Sequence, residues 1–385
     1  MLTTRAVLAK LIPDTTAGHA RLLFVTEGEA SLHFAIQKGL PLGVVENGEG
    51  MVIVDAGGGT IDINSYCKNL GEATKFEEVA APQCLFHGTV FVTVYARLFL
   101  ENYLQDSPFL MDLNSIVDRF DKATKLRFRN SDQPQFIKFG SERDNDSSCN
   151  IRFGRLKLLG SDVATFFEPS VDCIVKTVLD QSKHVVLVGG FATNDWLFNQ
   201  VRDKLLPHGL DTIRPVYHAN RTVSDGALSF YRHHFVCTRV SKFDYGIFST
   251  PLFDRAHPDN QLEQRCVSIS GQMRLKDFFS VILPKSTQIS ESKEFRRSYW
   301  RESKSEKLPK GTSIPVWCYH GAVIRPKWKD IDTQNYTELC RIEFDFSQLP
   351  SSRRFFRKGI YYFDYDVVLL FGLIELKAMV AWKKM

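Results

Sequence analysis

MVIVDAGGGTIDINSY, residues 51–66, decides how the rest of this 385-residue chain is read. Val52, Ile53 and Val54 form a β-branched run, Asp55 follows it, and Gly57, Gly58 and Gly59 separate it from a second run beginning at Ile61. Two such runs about a glycine turn predict a hairpin. Glycines there admit φ > 0 and leave N–H groups that no Cβ shields, a surface on which phosphate oxygens can lie. Asp55 is placed to hold Mg²⁺ directly or through water, and the Thr60 hydroxyl to donate to a phosphate. An ordinary glycine-rich hairpin has the same pattern, so a second motif has to decide.

That motif is HVVLVGGFATNDWLFNQVRDKL, residues 184–205. Val185–Val188 predict a buried strand, Gly189-Gly190 a tight turn, and Thr193, Asn194 and Asp195 a cap for a helix with Leu197, Val201 and Leu205 on one face. Close backbone approach at the two glycines suits a flat adenosine moiety.

Around these motifs the pattern alternates between strand and helix. Residues 3–12 predict a helix, RLLFVT (21–26) a buried strand and EGEASLHFAIQKG (27–39) a helix stopped by Gly39. Glu27 then stands at a strand end, where open α/β sheets bind ligands; a helix-start carboxylate favouring the dipole would look the same. FEEVAAP (76–82) predicts a short strand with exposed acids at 77 and 78, and residues 88–104 a mostly buried helix. Residues 112–128 continue as helix with Asp121, Lys125 and Arg127, followed by strand candidates at 135–138 and 150–153. A helix over 160–181 bends near Pro169, Arg214-Pro-Val is a short strand, and 220–235 is a helix. Beyond about residue 240, aromatic and β-branched residues alternate with charge as far as a long run broken at Gly372, which predicts a β-rich domain.

Hydrophobic residues make up 44% and charged ones 24%, ordinary for a globular protein, and the net charge is +5. The densest basic stretch, Lys293–Lys307, reads as a solvated loop, with Tyr299 and Trp300 as the alternative footing for an acidic partner. The eight cysteines show no metal-ligand spacing, which points to reduced thiols in a cytoplasmic or nuclear protein. His233-His234 reads as two surface histidines. No apolar window reaches membrane-spanning length, and Arg5 and Lys10 interrupt the N-terminal apolar segment that a secretory signal would need.

DAGGGTID followed downstream by a strand ending in LVGG resembles the ATPase core shared by actin, sugar kinases and heat-shock protein 70 chaperones. RLLFVTEGEASLHF is similar to the chaperones' Glu-Pro-Glu-Ala junction. GTVFV (88–92), FFEP (166–169) and FGLIELKA (371–378) resemble the divergent 12A/12B-type branch of the heat-shock 70 family. The resemblance implies an α/β fold: an actin-like ATPase (ribonuclease H-like) lobe, N-terminally truncated, followed by a β-rich C-terminal domain. Its parts would be a lobe I remnant (1–44), lobe II (45–217), a closing helix of lobe I (218–240) and the β-rich domain (241–385).

The resemblance also implies roles. Asp55 would be the magnesium- and water-orienting aspartate, Glu27 the acid beside the attacking water, and Gly57, Gly58, Gly59 and Thr60 the second phosphate loop. Gly189, Gly190 and Phe191 would form the adenosine loop, with Asp121 and Lys125 flanking ribose and adenine. Gly28 replaces the family's proline, and Asn220 stands where an aspartate is usual. The family's first phosphate loop and catalytic lysine find no counterpart in residues 1–26. Phosphoryl transfer depends on positioning and charge neutralisation, so their loss would cripple hydrolysis. The expectation is an ATP/ADP- and Mg-binding interaction module for unfolded or client proteins, with no nucleic-acid or membrane partner. A working ATP-dependent chaperone and a sugar or acid kinase are the alternatives.

Overall fold

The structure, a computed structural model, describes residues 2–38, 49–71, 75–179, 184–215, 221–254, 265–290, 292–308, 311–351, 359–371 and 376–382. The expectations for Gly39, Asn220 and Gly372 fall outside these residues. The fold is mixed α/β with several sheets, in two units, Met1–Cys237 and Thr238–Met385. Among the described residues no helix is long and apolar enough to cross a membrane.

The first unit opens with helices α1 (Leu2–Leu8), α2 (Thr16–His19) and α3 (Glu27–Gln37). Strands β1 (Gly50–Ala56), β2 (Ile61–Lys68), β3 (Phe76–Glu78) and β4 (Gln83–Leu85) follow, then α4 (Thr89–Tyr103), α5 (Leu113–Arg119) and α6 (Lys125–Arg127). A small sheet of β5 (Gln135–Lys138), β6 (Ile151–Arg152) and β7 (Arg155–Leu158) precedes α7 (Gly160–Thr165) and α8 (Glu168–Val178). The unit continues through β8 (His184–Val188), α9 (Asp195–Leu205), β9 (Asp211–Ile213) and α10 (Thr222–Arg232), and β10 (Val236–Val240) carries the chain into the second unit.

The main sheet is built about β1. It pairs antiparallel with β2 and parallel with β8; β2 continues to β3 and β8 to β9, giving the order β3-β2-β1-β8-β9. Because successive strand residues face opposite ways, Met51 and Ile53 pack with Leu32, Phe34 and Ala35 of α3. Val52, Val54 and Ala56 pack with Val92 of α4, Ile174 of α8 and Val201 of α9. Burial on both faces explains why β1 and β8 read as continuous apolar runs. Helix α10 lies directly on α3: a Cβ on Gly226 would come within 1.8 Å of the Ala30 carbonyl oxygen, so only glycine allows this approach.

Several sequence expectations are corrected here. RLLFVT is not a strand; residues 22–26 carry no ladder, and Leu23 is 45% exposed. Apolar content alone suggested a strand, but none of the described strands pairs with it. Glu78 is buried rather than exposed, since its side of β3 faces inward. Helix α4 buries only the stripe Val92, Ala96 and Leu100 and exposes Val90, Val94 and Leu98. The helix expected over 160–181 is two helices broken at Phe166-Phe167, with Pro169 in the first turn of α8, where its missing N–H costs nothing. The strand expected at Arg214 ends at Ile213, before Pro215, which has no N–H for a ladder.

The second unit is β-rich. One sheet orders β14 (Phe278–Leu283), β11 (Asp244–Ser249), β17 (Thr312–Tyr319) and β18 (Tyr336–Phe344). Another orders β16 (Glu294–Ser303), β19 (Tyr361–Phe371) and β20 (Leu376–Ala381). Ile247, Leu283, Val316 and Ile342 of the first pack against Phe363, Val367 and Leu369 of the second, a sandwich core. A hairpin of β12 (Arg265–Val267) and β13 (Met273–Leu275) and the strand β15 (Gln288–Ser290), paired with Thr238–Val240, complete it. The basic stretch from Lys293 is therefore largely strand β16, not a solvated loop: Phe295 and Tyr299 pack against the core while Arg296 and Ser298 bond Asp366 outside.

Candidate functional site

Parallel register sets Asp55 opposite Val188, so the loops leaving the C-terminal ends of β1 and β8 emerge side by side. This is the edge at which open α/β sheets bind ligands. The first loop closes as Gly57 N–H donates to the Thr60 carbonyl at 2.9 Å. The start of α4 then holds it: the N–H groups of Thr89, Val90 and Gly88 donate to the carbonyls of Gly57, Gly58 and Gly59 at 3.1, 2.9 and 3.2 Å. A Cβ on Gly88 would stand 2.6 Å from the Gly58 carbonyl oxygen, so this contact depends on a glycine that the sequence reading did not single out.

The glycines of the two loops divide into two kinds. Gly189 is demanded by the fold, with φ +91° and with Asp55 Oδ1 only 2.3 Å from where a Cβ would sit. Gly57, Gly58 and Gly59, contrary to expectation, do not adopt positive φ. The turn does not need left-handed backbone, because the bonds to α4 shape it instead. A Cβ on Gly58, Gly59 or Gly190 would meet nothing within 4 Å. Neither backbone conformation nor packing explains these three. What their lack of side chains does is leave bare backbone at the sheet edge, as turns that cradle a phosphate or lie against a flat adenosine moiety require.

Asp55 lies on the α3 side of β1, buried, with Oδ2 accepting from Ser31 Oγ at 2.8 Å. Burial pushes its carboxyl above the usual range, the charges of Glu27 and Asp62 add to this, and the Ser31 hydrogen bond opposes it. Glu27 is exposed at the first position of α3, whose N-cap Thr26 accepts from Glu29 N–H at 3.2 Å. Ser31 was missed by the sequence reading; its place four residues after Glu27, on the same helix face, was the available signal. Thr60 departs from expectation: its hydroxyl donates to Asp62 Oδ2 at 2.9 Å, so it does not face the loop as a free donor.

Among the described residues no three His, Cys, Asp or Glu side chains group to hold a metal ion. An all-protein cage is therefore not what Asp55 offers. Mg²⁺ often keeps several waters and uses one or two carboxylates plus substrate phosphates. Asp55, under the field of Glu27 and Asp62, fits that water-mediated arrangement.

Asp121 and Lys125 come together beside the first turns of α4. A π-turn over Phe120–Thr124 interrupts the helix expected there and carries Asp121. The buried Lys125 Nζ donates to Asp121 Oδ1, to Thr93 Oγ1 at 3.0 Å and to the Thr89 carbonyl at 3.2 Å. Burial pushes the Asp121 carboxyl up, but hydrogen bonds from Lys125 and Thr93 bring it below its ordinary value. The Lys125 carbonyl accepts from Asn194 Nδ2 at 3.1 Å, while Asn194 Oδ1 caps α9. The pair thus braces the helix that grips the turn and ties it to the loop after Gly190. Phe191 sits in the core, its ring 6.1 Å from that of Phe167, so only its backbone borders the loop. No protein-family model matches this chain, and no curated protein matches it significantly.

Proposed function

We propose that the first unit is a nucleotide-binding lobe of the actin-like ATPase kind, in a divergent heat-shock 70-like chain that works as a binding module rather than as an efficient ATPase. The observation that carries this reading is the bare backbone of Gly58, Gly59 and Gly190 beside Asp55, three glycines that the fold itself does not require. The sheet supports it as well: an antiparallel meander of β1, β2 and β3 is extended on the β1 side by the parallel strands β8 and β9. In this reading the two loops hold the phosphates and the adenosine moiety, and Asp55 orients water around a magnesium ion that neutralises phosphate charge.

Weak hydrolysis follows from how the polar side chains are engaged. Lys125 is committed to Asp121, Thr93 and the Thr89 carbonyl, and Thr60 to Asp62. Neither is set to stabilise charge that develops only in a transition state. Calorimetric titration with Mg-ADP and Mg-ATP tests the proposal. Saturable binding that Asp55→Ala weakens is expected, with ATP turnover far below that of full chaperones. Binding indifferent to Asp55→Ala would overturn the site, and chaperone-like turnover would overturn the binding-module reading.

A further inference from the structure

The second unit carries a cavity of about 400 Å³ that the nucleotide reading leaves without a use. It opens along the sandwich edge where β14 and β16 meet. Two contacts link the strands there: Tyr299 and Ser280 share a hydroxyl hydrogen bond of 2.8 Å, and Arg297 Nη1 donates to the Val281 carbonyl at 2.8 Å. The volume lies in the range of small-molecule sites, about 300–1,000 Å³.

Its lining is cationic and aromatic at once. Arg297 and Arg301 alternate with Tyr299 on one side of β16, and neither makes an ion pair with a carboxylate among the described residues. Asp277 is the acid in the lining. Arg274, 7% exposed, is held by Glu302 at 3.2 Å and the Thr250 carbonyl at 2.7 Å, with its guanidinium 4.0 Å over Trp300. Its Nε is buried and finds no hydrogen-bond partner among the described residues. Tyr299 and Tyr365 stack at 6.1 Å and 30°, and burial holds the Tyr299 hydroxyl protonated, its pKa pushed up to about 12, so this wall stays neutral beside the arginines.

We infer that this cleft binds a small organic anion, a phosphate or carboxylate carried on a flat aromatic ring. The anion lies against Arg297 and Arg301, whose planar guanidinium groups match either group with paired hydrogen bonds. The ring lies against Tyr299 and Tyr365, which face the same side of their paired strands as the two arginines, where offset stacking and burial reward a flat partner. An uncharged aromatic would leave the cations unmet, and a bare phosphate would leave the aromatic wall unused.

The full chain titrated with phenyl phosphate, inorganic phosphate and benzyl alcohol tests this, read by calorimetry. Phenyl phosphate is expected to bind at least about tenfold more tightly than either fragment-like control, since charge and ring each contribute. Arg301→Ala should weaken it by about tenfold while leaving thermal stability in place, and Arg297→Ala should weaken it by about as much with a lower thermal midpoint, because its bond to the Val281 carbonyl is lost as well. Asp55→Ala should leave it unchanged, which separates this cleft from the glycine loops. No saturable binding of phenyl phosphate, equal binding of inorganic phosphate, or indifference to both arginine variants would overturn the inference.

Discussion

Gly189 and Gly190 are adjacent and identical in sequence, yet the structure assigns them opposite consequences on substitution by alanine. At Gly189, alanine meets a left-handed backbone, φ +91°, which costs about 1–2 kcal/mol for a residue with a Cβ. Its Cβ would also stand 2.3 Å from Asp55 Oδ1 and 2.5 Å from the Ala56 carbonyl oxygen. Relieving such overlap costs about 1–3 kcal/mol. At Gly190 the backbone is right-handed, φ −64° and ψ −37°, and a Cβ meets open space. Alanine there restricts the unfolded chain and stabilises by about 0.4–1 kcal/mol. With about 2–4 °C per kcal/mol for a unit of this size, thermal unfolding should fall by about 4–20 °C for Gly189→Ala and rise by about 1–4 °C for Gly190→Ala. The two variants should part in the other direction on ligand: Gly190→Ala, although stable, should lose Mg-ADP binding. A Gly190→Ala variant as unstable as Gly189→Ala would refute the division of the loop glycines into structural and bare.

Three other outcomes follow. Asp55→Asn should raise the thermal midpoint of the unliganded protein at neutral pH while weakening Mg-nucleotide binding. Burial raises the folded-state carboxyl pKa, so ionisation above the unfolded value costs stability that the amide does not lose; an unchanged or lower midpoint would contradict this. His33, buried and stacked 4.5 Å from Phe235, has its pKa lowered from 6.5 to about 4 by burial and by His234 and His233. It contributes stability above pH 6.5 that is lost as pH falls towards 4, on the order of 2–3 kcal/mol. Denaturant titrations at several pH values should show that loss, and His33→Gln should flatten it. Gly226→Ala should destabilise by about 3 kcal/mol by wedging α10 off α3 at Ala30, and a neutral effect in a melt would contradict the close packing.

The hairpin at 51–66 and the strand-turn-helix at 184–205 were legible because their signals are local. Continuous β-branched runs flanked by glycine need no distant partner to be recognised, and a capping asparagine acts on its own helix. RLLFVT misled because ladder pairing is not local: an apolar run becomes a strand only beside a strand that can take its hydrogen bonds. Glu78 misled for a similar reason, since which side of a three-residue strand faces inward is set by packing. In the candidate site, the place of Asp55 and the glycines at the ends of β1 and β8 was readable, whereas Ser31, Gly88 and the engagement of Lys125 depend on approaches between segments far apart in sequence. The basic stretch at β16 shows the limit most clearly, because its period-two alternation was masked by charge on both faces.

In the proposed nucleotide-binding role, the amides of Gly58 and Gly59 receive phosphate and the bare backbone of Gly190 lies against the adenosine moiety. This is tested most directly by recording the glycine amide resonances of ¹⁵N-glycine-labelled protein during titration with Mg-ADP. Gly58, Gly59 and Gly190 should shift most and saturate together, and Asp55→Ala should weaken the response. Saturable binding that leaves these three amides in place while others move would contradict it.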